Sequence, residues 1–356
     1  MPQRPHPHTH ARRPAETPDP DRAVRLWLWL VAAAIFAMVI VGGATRLTES
    51  GLSITEWKPV TGVLPPLGAA EWNEAFEKYK QIPQFRELFP DMDLARFKTL
   101  YFWEWGHRLL GRLIGVLFAL PFLWFLARGR IKGELRWRLA LILGLGALQG
   151  FVGWWMVSSG LVHRVEVAQE RLALHLLLAS VTFVAVIWTA VGLAPNYRDP
   201  LGRDARNFRP EASALLALAL AQIGLGGLVA GLRAGLVYNS WPLMDGRFFP
   251  LRADLFSMTP WTANFVDNAL LVQFQHRMTA YALFALALYH ALHISRETVA
   301  RRAARRARVL AALILIQIGL GVTTLLLVVP LPAALTHQAF AMIVLAMATI
   351  HRRKLG

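Results

Sequence analysis

The chain has 356 residues, 55% of them hydrophobic and only 17% charged, with a mean hydropathy of +0.41; a soluble domain carries about 25% charged residues, so a soluble globular fold is excluded. Lys and Arg number 38 against 22 Asp and Glu, but they fall in short clusters between long apolar runs, which argues for membrane topology and against nucleic-acid binding. With no cysteine, disulfides, thiolate zinc sites and cysteine-held iron–sulfur clusters are ruled out, leaving 11 histidines as candidate metal ligands.

Residues 1–25, with His6, His8 and His10 among Pro and Arg, are predicted to be a disordered cytoplasmic tail. A bilayer core of about 30 Å needs roughly 20 helical residues. The first such run, Leu26 to Thr45, is uncharged and lacks a small-residue cleavage site, so it reads as a span and not as a removed signal. An outer loop, 46–102, follows. Within it Trp72, Phe76 and Tyr79 recur at helical spacing, predicting an amphipathic interfacial helix that serves as a packing element, with a lid as the sharper alternative. Three further runs, Trp103 to Ala127, Leu139 to Val162 and Arg171 to Leu193, complete a first half, 26–194. A cytoplasmic linker, 195–211, carries Arg198, Arg203, Arg206 and Arg209. The second half, 212–351, has runs at Ala212 to Leu232, Phe274 to Ser295, Val309 to Thr336 (broken near its end by Pro330 and Pro332) and Leu331 to Ile350, before a basic tail, 352–356.

The fold class is therefore all-α and integral to the membrane, with eight transmembrane helices as two tandem four-helix bundles. Lys and Arg on the side of the two tails outnumber those on the other by about two to one, which places both termini in the cytoplasm. The two-bundle reading rests on an internal repeat. Gly42-Gly43, Gly51, Trp57 and Gly62 recur 184 residues later as Gly226-Gly227, Gly235, Trp241 and Gly246; further on, His107-Arg108 recurs as His276-Arg277 and His175 as His337.

Those four histidines each fall near the outer start of an even-numbered span, at a similar depth. An ionisable group inside a membrane points to function. Zinc usually takes three or four ligands, and no His-Glu-x-x-His is present. Haem iron takes two axial ligands from opposite faces of a planar ring, which one histidine from each of two neighbouring helices supplies. Two haem sites, one per half, are expected. Arg108, Arg277 and Arg171 beside the histidines suit haem propionates, or equally arginines snorkelling to headgroups. The repeat is broken once: Glu104 lies three residues before His107, where the second half has Gln273. An acid beside one site only suggests that the first half does the chemistry; a helix start favouring an acid is the competing explanation. His163, His290, His293 and His351 have no repeat partner and are not taken as ligands.

Thr45-Arg46-Leu47-Thr48-Glu49-Ser50-Gly51-Leu52-Ser53, Glu104-x-x-His107-Arg108 with Gly111-Arg112, Pro242-Leu243-Met244-Asp245-Gly246, Gln275-His276-Arg277 and Thr336-His337-Gln338 together resemble the haem A synthases. The resemblance spans about residues 26 to 350 and is closest to the alphaproteobacterial and mitochondrial branch, since the Gram-positive branch carries an outer cysteine pair. It implies an oxidoreductase of the plasma membrane that converts the C8 methyl group of haem O to the formyl group of haem A for cytochrome oxidase assembly. By the same resemblance His107 and His175 hold the substrate haem, His276 and His337 hold a haem b that passes electrons, and Glu104 is the catalytic acid. An unidentified electron partner is implied, together with haem O synthase and oxidase assembly factors as candidate neighbours; no nucleic acid is expected, and a homo-oligomer is left open. The rival readings are a di-haem b, quinol-linked electron-transfer cytochrome and a transporter built on the parallel repeat; a transporter would place its polar groups at the midplane.

Overall fold

The computed structural model describes residues 19–59, 61–199, 205–244, 246–296 and 301–356. Most of the N-terminal tail, with its three histidines, the middle of the 195–211 linker and Asp245 lie outside the described residues. In chain order the helices are α1 (Arg22–Leu47), α2 (Ala69–Tyr79), α3 (Pro83–Leu88), α4 (Leu94–Ala127), α5 (Gly133–Ser158), α6 (Gln169–Gly192), α7 (Ala205–Gly231), α8 (Arg252–Leu255), α9 (Asn264–Asp267), α10 (Ala269–Ser295), α11 (Arg301–Leu326) and α12 (Leu331–Lys354). Among the described residues there are eight helices long and apolar enough to cross a membrane, α1, α4 to α7 and α10 to α12. The chain is a multi-pass membrane protein.

Among the boundaries that differ from the hydropathy reading, three have a clear local reason. Helix α4 starts at Leu94 instead of Trp103 because the Asp93 carboxylate accepts a hydrogen bond from the Arg96 N–H at 2.8 Å and caps it. At 1.5 Å per residue its 34 residues reach about 51 Å, so its first turns stand outside a core of about 30 Å. Helix α5 starts at Gly133, its charged first turn held by an Arg138–Glu134 pair one turn apart at 2.6 Å. Helix α11 stops at Leu326 instead of running to Thr336. Val328 and Val329 follow in left-handed conformations (φ 60° and 57°), which β-branched residues rarely adopt, and Pro330 precedes the start of α12.

In the first half α1 packs against α4 and α6, and α5 against α6; in the second, α7 packs against α10 and α12, and α11 against α10 and α12. The halves meet where α6 lies along both α7 and α12, and where α1 lies along α12. Backbone comes closest to backbone at Gly227 and Gly231, where an added Cβ would stand 2.8 Å from Ala173 Cα and 2.7 Å from Gln169 Cα. This is the small-xxx-small spacing that lets membrane helices touch backbone to backbone. At the outer end of the junction, residues related by the repeat contact each other directly. Arg46 donates to the Ala230 carbonyl at 3.2 Å, Arg233 pairs with Glu49 at 2.5 Å, and Glu166 pairs with both arginines.

The buried apolar core is concentrated at the arginine-rich end that bears both termini, which the charge rule predicts to be inner, where Leu28, Phe122, Leu139, Ile187, Leu215, Ile294, Leu310 and Leu345 draw all eight spans into one cluster. The outer end has a separate cluster. Trp72, Phe76 and Tyr79 of α2 pack on Phe97 and Leu100 from the overhanging turns of α4, with Phe76 stacked on Phe97 at 5.0 Å. The α2 segment is thus the packing element expected of it. Burial pushes the Tyr79 phenol up, so it stays a donor, bonding Gln84 at 3.0 Å, and Gln84 in turn donates to the Glu49 carbonyl at 3.1 Å. Hydrogen bonds from Lys58 and Lys78 hold the Glu56 carboxyl below its ordinary value, tying the loop after α1 to α2.

Candidate functional site

The four histidines lie between that core and the loops at the opposite end of the bundle, each partly buried on the later helix of a packed pair and each against a glycine of the earlier helix. A Cβ on Gly42 (α1) would stand 3.1 Å from His107 Nε2 (α4). On Gly153 (α5) it would stand 2.9 Å from His175 Cε1 (α6), on Gly226 (α7) 3.3 Å from His276 Cε1 (α10), and on Gly321 (α11) 2.8 Å from His337 Cε1 (α12). A glycine inside a helix costs roughly 0.5–1 kcal/mol relative to alanine, and at these four places it makes room for an imidazole. His107 and His175 stand on α4 and α6, which both pack against α1, and His276 and His337 stand on α10 and α12, which both pack against α7 and α11, so each half carries its two histidines on helices that share a neighbour.

Three of the rings have a further partner that sequence reasoning missed. Gln149, Gln222 and Gln317 donate Nε2–H to the carbonyls of His175, His276 and His337, each at 3.0 Å, and each amide nitrogen lies 3.1–3.2 Å from the Nδ1 of that ring. Their Oε1 atoms are buried and have no partner. A metal-bound histidine has an outer partner that holds its ring, and here an amide nitrogen lies against each of the three rings while the amide oxygen beside it has no donor. Glycine cradles, two histidines in each half and amides laid against three of the rings together fit a planar metallo-macrocycle held by two imidazoles. Among the described residues, no group of three or more His, Asp and Glu is disposed to hold a bare metal ion.

Glu104 is buried one turn from His107 and takes part in four hydrogen bonds. Oε2 accepts from the Ser53 hydroxyl and the Ile54 N–H, both at 2.8 Å; Oε1 accepts from Arg108 Nη2 at 2.6 Å and Nε at 3.1 Å. In the second half Gln273, also buried, donates to the Ala234 carbonyl at 2.7 Å and accepts from Arg277 at 2.9 Å.

The arginines expected near propionates latch the outer loops. Arg108 donates to the Ile54 and Glu56 carbonyls, Arg112 to those of Lys58 and Pro59, and Arg277 to those of Tyr238 and Leu243. Arg171 donates to the Trp155 carbonyl and lies over its ring at 4.3 Å. Neither of the two sequence alternatives, propionate or headgroup, foresaw the latch. Arg112 Nη1, Arg171 Nε and Arg277 Nε nevertheless remain buried without an acceptor, which leaves N–H groups for an anion.

Three histidines set aside at the sequence level also come together, at the inner end. His290, fully buried, stands 2.6 Å from Glu211 through Nδ1 and 2.8 Å from His351 through Nε2, while His293 Nδ1 stands 2.8 Å from the other Glu211 oxygen. This cluster clamps α7, α10 and α12.

Residues 25–349 match the family described as COX15-CtaA, cytochrome oxidase assembly protein. The chain is similar over nearly its whole length to haem A synthases. That of Beijerinckia indica is 56% identical over 326 residues (92% of this chain and 91% of the relative), and that of Rhodopseudomonas palustris 57% over 325 residues (91% and 89%). That of a Bradyrhizobium species is 55% identical over 327 residues (92% and 90%).

Proposed function

The chain belongs to the COX15-CtaA family of cytochrome oxidase assembly proteins, and from that premise we propose that it is a haem A synthase, a membrane oxidoreductase that converts the C8 methyl group of haem O to the formyl group of haem A. The first half, 26–194, holds the substrate haem between His107 and His175. In the second, 212–351, His276 and His337 would hold a haem b. The observation that carries this division is that both halves pair two glycine-cradled histidines, while only the first sets a buried carboxylate beside one of them.

Haem b, when bound, supplies a one-electron carrier. The chain's own residues do the rest. Glu104 is fixed by Ser53, Ile54 and Arg108, so a negative charge stands ready where positive charge develops as the methyl carbon is attacked, at no reorganisation cost. The same carboxylate is the group of this half placed to take up a proton as the methyl is oxidised. The loops latched by Arg108 and Arg112 keep water from that edge. Buried, unbonded N–H groups on Arg112, Arg171 and Arg277 suit propionate carboxylates at the outer boundary. The membrane is the plasma membrane, with both termini cytoplasmic and the haem sites toward the outer face. An electron partner outside the chain completes the oxidation; haem O synthase and oxidase assembly factors are the neighbours the reaction calls for.

Haem extraction and mass analysis of the purified protein, made in cells that supply haem O, tests the reading. Haem b together with haem O or haem A is expected. Haem b alone, two per chain, would make it an electron-transfer cytochrome instead. A reporter active only outside the cytoplasm should be silent after Gly356 and active near Pro90; activity after Gly356 would invert the orientation.

A further inference from the structure

The histidine–glycine contact occurs four times, and one copy departs from the others at two positions at once. Four residues before the cradling glycine stand Gln149, Gln222 and Gln317, but Met38 in the first copy; four residues after the histidine stand Ala179, Ala280 and Ala341, but Gly111 in the first copy. The two departures touch. A Cβ at Gly111 would stand 3.3 Å from the Met38 terminal methyl, so the glycine makes space for the thioether. His107, alone of the four, lacks the amide that in the other copies bonds the histidine carbonyl and flanks its ring.

We propose that Met38 and Gly111 make His107 the releasable ligand of the four. In the other three copies the carboxamide is anchored on the histidine carbonyl and lays its nitrogen against the ring, and such outer partners hold ligand rings in place. A thioether is a weak acceptor on a flexible chain and leaves the ring free to swing. The proposal rests on reading the first half as the substrate site: a haem that arrives as substrate and leaves as product needs one axial ligand that lets go, whereas a resident haem needs two that do not. His175, pinned by Gln149, keeps hold of the ring while His107 releases it. Met38 and Gly111 are thus positioning residues acting through His107.

The test exchanges the pairs in the full-length haem-loaded protein: Met38→Gln with Gly111→Ala in the first half, and Gln222→Met with Ala280→Gly in the second. The readouts are the rate at which haem passes to excess apomyoglobin and the low-spin fraction by optical and electron paramagnetic spectra, with each haem identified by mass. The first exchange should slow release from the first half about tenfold or more and raise its low-spin fraction; the second should speed release from the second half by a similar factor. Unchanged release and spectra in both exchanges overturn the proposal. If the first exchange does not fold, the second alone decides. If release slows but the haem held by the first half is haem b, the clamp stands and the substrate-site reading falls. If haem O or A is present and no rate moves, the substrate-site reading stands and the clamp falls.

Discussion

The two halves use the same arginine, next after the histidine, to latch an outer loop onto a helix, but beside it their hydrogen bonds run in opposite directions. In the first half the loop offers donors, the Ser53 hydroxyl and the Ile54 N–H, and the residue between loop and arginine is an acceptor, Glu104. In the second half the loop offers the Ala234 carbonyl, and the matching residue is a donor, Gln273. Exchanging the two side chains would leave each facing groups of its own kind, so loop and side chain diverged together. A second difference accompanies this one: α10 and α11 pack closely, while α4 and α5 touch far more sparsely. Both halves carry the same histidine scaffold, and the first alone combines it with a fixed charge and a looser helix pair.

The comparison breaks most completely if a proposed haem ligand of the second half is removed. His276→Ala or His337→Ala should abolish the low-spin haem b spectrum while the first half still binds its haem. Loss of both haems from either variant would mean that the halves share ligands. Next in size is Glu104→Gln, which gives the first half the side chain of the second. It should retain haem b and bind substrate, but make haem A about 10²–10⁴-fold more slowly, with haem O accumulating by mass analysis. Haem A at the unsubstituted level would reduce Glu104 to a structural residue. Smaller again is a contrast in stability. Arg108→Ala strands a buried carboxylate and should cost about 3–5 kcal/mol. Arg277→Ala leaves only neutral partners and should cost about 1.5–3 kcal/mol. Thermal unfolding of the two in one detergent should therefore rank Arg108→Ala below Arg277→Ala, and the reverse order would mean that the charge in the first half is not a stabilising element.

What could be read without coordinates was whatever repeats or runs long. Eight spans announce themselves by apolar length, and the four histidines by recurring at matched places. The overhang of α4 did not, because residues 94–102 include Arg96 and Lys98 and fail a hydropathy criterion although Asp93 caps them. Two partners of Glu104, Ser53 and Ile54, are some fifty positions away, beyond any local pattern; only Arg108 is one turn off. The cluster of Glu211, His290, His293 and His351 crosses three helices with no repeat to flag it. The glutamines were legible and were missed: Gln-x-x-x-Gly occurs at Gln149, Gln222 and Gln317, and aligning each histidine's facing helix on its glycine would have shown both the motif and its failure at Met38.

The smallest effect is expected at Ser53, whose repeat counterpart, 184 residues on, is the apolar Val237. Its hydroxyl is one of the donors to Glu104 and touches no reacting atom, so it acts by position. Ser53→Ala leaves Ile54 N–H on the same carboxylate oxygen and Arg108 on the other; the acid keeps its place but gains freedom to rotate. A hydrogen bond to a charged group is worth about 1.5–3 kcal/mol in place. Part of that returns when the remaining donors tighten, and a loss of about 1.4 kcal/mol is tenfold in rate. Ser53→Ala should therefore lower kcat for haem A formation by about tenfold with KM for haem O nearly unchanged, and Ser53→Thr, which keeps the hydroxyl, should restore most of it. A rise in KM with kcat unchanged would mean that Ser53 shapes the binding site and does not hold the acid. The donor-lined loop would then be a feature of substrate fit, and the contrast between the halves would rest on Glu104 alone.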